Sequence, residues 1–199
     1  QRPTAPALAD GERVHADWRT FAGTVAGVAG GLHTLHRLVP GDRVAILMRN
    51  RPEYLEALFG AWHAGLVAVP VNARLHRDEI AYILEHSRAR AVVTDDDHLE
   101  DIEALRGTVA SLESVIVAPG PEWTRLVQAP AATLVPRGAE DAAWLFYTSG
   151  TTGRPKGATL TNRNLMMMSL SYLADLDPIH PHDSILHAAP ISHGSGLYG

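Results

Sequence analysis

Cysteine is absent from all 199 residues. Disulfides and cysteine-bound zinc are therefore excluded, which fits a reducing, cytoplasmic compartment. Long apolar runs are absent too: none approaches the roughly 18 residues that a membrane-spanning helix requires. Basic blocks are missing, and 17 Lys and Arg against 22 Asp and Glu leave a formal charge of −5, which argues against a nucleic-acid partner. The opening residues Gln1-Arg2-Pro3-Thr4-Ala5-Pro6 carry neither the apolar core of a signal peptide nor an initiator Met, so a start upstream is expected. What remains is globular in character. The chain is 46% hydrophobic and has no internal repeat or low-complexity tract. Its length suits one sizeable core or a large piece of a bigger domain.

The stretch richest in chemistry is Tyr147-Thr148-Ser149-Gly150-Thr151-Thr152-Gly153-Arg154-Pro155-Lys156-Gly157. It follows an apolar, aromatic-rich segment, Ala142–Phe146, that reads as a buried strand. Its glycines let the backbone approach a ligand closely, and successive N–H groups in a Gly-rich turn make a concave anion site. The hydroxyls of Thr148, Ser149, Thr151 and Thr152 can donate to phosphate oxygens, and Lys156 adds a positive charge. No carboxylate interrupts the stretch to repel an anion. A plain Gly/Ser/Thr surface loop is the alternative. The concentration of hydroxyls, glycines and lysine directly after a buried strand favours a polyphosphate cradle. The spacing is not that of a Walker loop, which needs Gly-Lys-Ser/Thr opening a helix. Here Pro155 precedes the lysine, Gly157 follows it, and Gly157–Thr161 reads as another strand.

Residues 1–13 are Pro- and Ala-rich and are expected to form an extended lead-in. Apolar residues Phe21, Val25, Val28, Leu32, Leu35 and Leu38 recur at helical spacing from Asp17 onward. Gly23, Gly27, Gly30 and Gly31 weaken that helix unless they serve close packing. Strands are expected at Arg43–Met48, Leu66–Val71, Ala91–Thr94 and Ser114–Val117. Helices are expected at Glu53–Ala64, Arg77–His86 and Leu99–Leu105, with a short one near Glu122–Val127. A helix capped by Thr161 or Asn162 should run to Leu176 and use Met166-Met167-Met168 as adaptable core packing. A further strand is expected at Ser184–Ala189. Strands alternating with helices, each strand nearly continuously apolar, predict an α/β fold: a mostly parallel sheet flanked by helices.

The segment Tyr147–Gly157 resembles the AMP-binding signature of the adenylate-forming superfamily. That group includes acyl-CoA synthetases, aryl-CoA ligases, luciferases and the adenylation domains of peptide synthetases. The order Gly41-Asp42-Arg43-Val44, Asn50-Arg51-Pro52-Glu53 and Ala64-Gly65-Leu66-Val67-Ala68-Val69-Pro70-Val71-Asn72 resembles the amino-terminal portion of an acyl-CoA synthetase. Pro190-Ile191-Ser192-His193 resembles a second superfamily motif, Pro-Leu-x-His, with Ile191 in place of Leu. The resemblance thus covers about Trp18 to Gly199.

It implies part of the large N-terminal domain of an adenylate-forming enzyme. The implied divisions are a lead-in over 1–16, an α/β portion over 17–147, and the phosphate loop over 148–157. The remainder, 158–199, would hold a helix, a strand and the start of the acyl-pocket segment, with the C-terminal domain absent. The implied activity is ATP-dependent activation of a carboxylic acid as its acyl-adenylate, with release of pyrophosphate, followed by transfer to a thiol, commonly coenzyme A. ATP, Mg²⁺ and coenzyme A are the implied co-reactants. Thr148, Ser149, Gly150, Thr151, Thr152, Gly153 and Lys156 would hold the phosphates, and Lys156 and His193 are the implied catalytic residues. His193 would border the acyl entrance, where Ile191, Leu197 and Tyr198 favour a fatty or aryl acid over an amino acid. The sequence stops before any later family motif, so a fragment inactive by itself is expected. A non-catalytic nucleotide-binding module stays open, as does an adenylating enzyme with another acceptor, such as a carrier protein. The oligomeric state is equally open.

Overall fold

A β-hairpin precedes the first helix, where an extended lead-in is expected from sequence. Pro6–Asp10 (β1) and Arg13–Asp17 (β2) pair antiparallel in the computed structural model, which describes residues 2–148, 154–175 and 178–194. The reason lies in Asp10-Gly11. Gly11 takes a φ of +56°, a geometry suited to the tight turn and unfavourable for most other residues. Ala7, Leu8 and Ala16 of the hairpin close over Phe21 and Val25.

Those two residues begin the buried face of Trp18–Thr34 (α1), whose N-cap Asp17 accepts a 2.7 Å hydrogen bond from Thr20 N. Two of the glycines that weaken the helix in sequence serve close packing. A Cβ on Gly27 would stand 2.1 Å from Val127 O, and one on Gly30 would stand 1.9 Å from Pro130 O. The backbone of residues 127–130 therefore lies directly against α1.

Strands and helices then alternate: Arg43–Leu47 (β3), Pro52–His63 (α2), Val67–Pro70 (β4), Arg77–Ser87 (α3), Ala89–Thr94 (β5), Asp96–Leu105 (α4), Ser114–Val117 (β6) and Pro121–Val127 (α5). Pro52 opens α2 as expected, its fixed φ suiting the first helical turn. The six-stranded sheet has the order β6-β5-β3-β4-β7-β8, with Ala142–Thr148 as β7 and Lys156–Thr161 as β8. The first five strands in that order are parallel, and β8 returns antiparallel at the edge. Side chains alternate between two cores. Val44, Ile46, Ala68 and Val93 face α1, α2 and α5; Ala45, Leu47, Val69 and Val92 face α3 and α4.

Asn162–Asp175 (α6) follows β8. Thr161 Oγ1 accepts from Asn164 N, and Asn164 Oδ1 accepts from Thr161 N, a reciprocal cap. None of its residues is buried, so the core-packing role expected for Met166–Met168 is not met within the described residues. Met166 is 61% exposed. The strand expected over Ser184–Ala189 is also absent: those residues form irregular chain, with Leu186 88% exposed. They pair with no described strand, and an unpaired β segment gains nothing over solvated coil.

Candidate functional site

Parallel strands end on a common edge, and in open α/β sheets ligands bind beyond their carboxyl ends. In this chain the edge is formed by the residues after β3, β4, β5 and β7. Asp95, just past β5, is buried and accepts from Arg49 N at 3.2 Å, just past β3. His98 meets Asp95 Oδ1 through Nδ1 and donates from Nε2 to Ala73 O at 2.9 Å, just past β4. One carboxylate–imidazole pair thus ties three strand ends together.

After β7 comes the Gly/Thr-rich stretch Tyr147–Gly157. Ser149, Gly150, Thr151, Thr152 and Gly153 lie outside the described residues; Thr148, Arg154 and Lys156 lie within them. The stretch joins two antiparallel strands. Thr148 and Lys156 are register partners across the hairpin, and both are exposed. Cross-strand partners share a sheet face, and alternate residues of a strand do too. Thr148 and Lys156 therefore lie on the face that carries Phe146 and Trp144. On that face His193 meets Phe146 edge-on, ring centroids 6.3 Å apart. Phe146 in turn meets Trp144, and Trp144 meets Trp62. Trp62 Nε1 donates to Ala143 O at 2.8 Å, which fixes this aromatic row to the strand. Thr148 and Lys156, from one stretch of sequence, and His193, from another, thus belong to one face.

The opposite face of β7 is held by α3. Tyr147 OH and His86 Nδ1 share a 2.8 Å hydrogen bond, and the His86 ring stacks on Tyr82. The guanidinium of Arg154 lies 5.5 Å from the Tyr82 ring centroid, within cation–π range. Burial, and then the neighbouring Tyr82, push the Tyr147 hydroxyl up to about 12, so it stays protonated at neutral pH. Gly157 packs closely across from it. A Cβ there would sit 3.0 Å from the Tyr147 ring. One helix therefore grips the chain on both sides of the loop. Sequence reasoning missed Tyr82 and His86, although their i,i+4 spacing on an expected helix is a usable signal.

Sequence reasoning also passed over the role of Asn50, which follows β3. Its Nδ2 donates to His187 O at 2.9 Å and to Ala189 O at 2.7 Å, and its Oδ1 accepts from Ile191 N at 2.8 Å. Its partners are backbone atoms well over a hundred residues away, and no spacing rule finds such a contact.

Among the described residues, no three His, Asp or Glu side chains come together in a way that could hold a metal ion. No helix among the described residues is long and apolar enough to cross a membrane.

A mostly parallel sheet flanked by helices is the architecture of the N-terminal domain of adenylate-forming enzymes. The chain belongs to the AMP-binding enzyme family, whose model matches residues 1–199. It is 38% identical over 182 residues to a feruloyl-CoA synthase from Amycolatopsis sp, covering 87% of this chain and 33% of that protein. The anthranilate CoA ligase AuaEII, solved with anthranoyl-AMP, superposes with a TM-score of 0.89 at 25% identity, covering 98% of this chain and 39% of that one. ATP-bound MatB from Rhodopseudomonas palustris gives a TM-score of 0.81 at 31% identity, covering 92% of this chain and 36% of that one. The chain spans about a third of the length of the curated relatives it matches.

Proposed function

We propose that the whole protein carrying this chain is an ATP-dependent carboxylate–CoA ligase acting on an aryl or fatty acid, and that this chain alone does not complete the reaction. The observation that carries the reading is the placement of Thr148, Lys156 and His193 on one sheet face. In the first step a carboxylate oxygen bonds to the α-phosphorus of ATP while the bond to the bridging oxygen breaks, giving acyl-adenylate and pyrophosphate. Negative charge gathers on the departing pyrophosphate. Lys156 and the Thr148 hydroxyl stand where they can hold it, with Ser149, Gly150, Thr151, Thr152 and Gly153 supplying the rest of the cradle. In the second step the sulfur of coenzyme A attacks the acyl carbon and AMP leaves. Magnesium, when bound with the nucleotide, would neutralise phosphate charge.

His193 sits against Phe146 at the end of the aromatic row, which suits the border of an apolar acyl site. Feruloyl and anthranoyl groups, the acyl parts handled by two relatives, are aryl groups, and this supports the aryl alternative. The test is ATP–pyrophosphate exchange by the whole protein over aryl, fatty and amino acids. Exchange dependent on an aryl or fatty acid is expected. Exchange with amino acids alone, or with none of the panel, would overturn the reading.

A further inference from the structure

Residues 184–188 are irregular, and Ile185 and Leu186 are exposed. Pro190–His193 then forms a turn closed by a 2.9 Å hydrogen bond from His193 N to Pro190 O. Ile191 is buried in the core that faces α1 and α2, which pins the turn at one side. On the other side stands Asn50. Its amide uses both donors on the carbonyls of His187 and Ala189 and its acceptor on Ile191 N. An amide offers two donors and an acceptor in one plane, so it can brace the chain before the turn and the first amide within it. The brace rests on a fixed base. Met48 is buried, and Arg49 N is held by Asp95.

We infer that Asn50 is a positioning residue for the ligase reaction: it clamps the Pro190–His193 turn to the end of β3 and so sets where His193 stands against Phe146. The inference rests on the proposed role of His193 at the acyl border. Asn50 touches no substrate in this account and acts through His193. Aspartate at the same position has the same shape but lacks both N–H donors, and its ionised oxygen would face two carbonyls. The clamp therefore depends on hydrogen bonding, and shape alone does not supply it.

The test is a double-mutant cycle in the whole protein, read by exchange kinetics with its preferred acid. Asn50→Ala and Asn50→Asp are expected to lower kcat/KM by about tenfold to a hundredfold, as small misplacements near the chemistry do. The Asp variant should be at least as impaired as the Ala variant, and KM for the acid should rise more than KM for ATP. Added to His193→Ala, Asn50→Ala should cost little more. Hydrogen–deuterium exchange on the unchanged protein gives a readout that needs no variant to fold: the Ile191 amide should be protected while residues 184–188 exchange quickly. Full additivity of the two substitutions, an Asp variant equal to wild type, or an unprotected Ile191 amide would each overturn the positioning role. If His193→Ala alone leaves the kinetics unchanged, the assignment of His193 falls, and the positioning role falls with it.

Discussion

His98 has both ring nitrogens committed to acceptors: the carboxylate of Asp95 at Nδ1 and the carbonyl of Ala73 at Nε2. Both nitrogens must carry protons for both bonds to hold, so the folded state favours the imidazolium. Burial by itself pushes His98 down; the bonds to Asp95 and Ala73 and the charges of Asp95 and Asp97 outweigh it, and the pKa stands above the ordinary value of 6.5. A raised folded pKa gives stability that is fully present below the unfolded pKa and is lost as pH climbs through the folded one. His98→Gln is therefore expected to be less stable at about pH 6, by about 2 kcal/mol, with the deficit shrinking in alkaline buffer. Denaturant unfolding of both proteins across that range checks it, and a deficit constant with pH would count against it. At this scale the sequence was legible in the two strands that flank the Thr148–Lys156 stretch. It was illegible where a side chain such as Asn50 or His98 bonds to backbone atoms of a segment distant in sequence.

At the scale of elements, α1 was readable from its apolar spacing despite its glycines. Which glycines matter depends on what lies against them. Gly23 has nothing within 4 Å of where its Cβ would be, whereas a Cβ on Gly30 would overlap the Pro130 carbonyl. Gly23→Ala should stabilise the protein by about 0.5–1 kcal/mol, since alanine loses less backbone entropy in a helix. Gly30→Ala should destabilise by about 3 kcal/mol or more, because backbone has to move. Equal effects of the two in denaturant titrations would contradict the packing described for residues 127–130. The hairpin of β1 and β2 escaped notice because its signal is the single Asp10-Gly11 turn inside a Pro- and Ala-rich stretch. The strand expected at Ser184–Ala189 failed for the opposite reason. Its pattern is that of a strand, but a strand needs a neighbour to pair with, and pairing is not written in the segment itself.

Across the whole molecule, the mostly parallel sheet and its two cores follow from the near-continuous apolar strands and their connecting helices, so the α/β class was legible in the sequence. One surface is out of keeping with a finished exterior. Met166, Met167, Leu170 and Leu173 of α6 are each about half exposed or more, on a helix with no buried residue. Apolar surface of this kind marks a contact site. The 199-residue chain purified alone is expected to bind a hydrophobic dye through this helix. Replacing Met166 and Leu170 by Gln should reduce the signal, and an unchanged signal would place the dye elsewhere.

The central claim is that the β7–β8 hairpin holds the phosphates of ATP while the acid is activated, with Lys156 as its charge. Its most direct test is single-turnover acyl-adenylate formation by the whole protein and its Lys156→Ala variant at saturating acid. Loss of a charge-assisted contact that strengthens as pyrophosphate departs should slow adenylate formation by about tenfold to a thousandfold, with thioester formation from supplied adenylate far less affected. Adenylate formation at the wild-type rate in the variant would contradict the account.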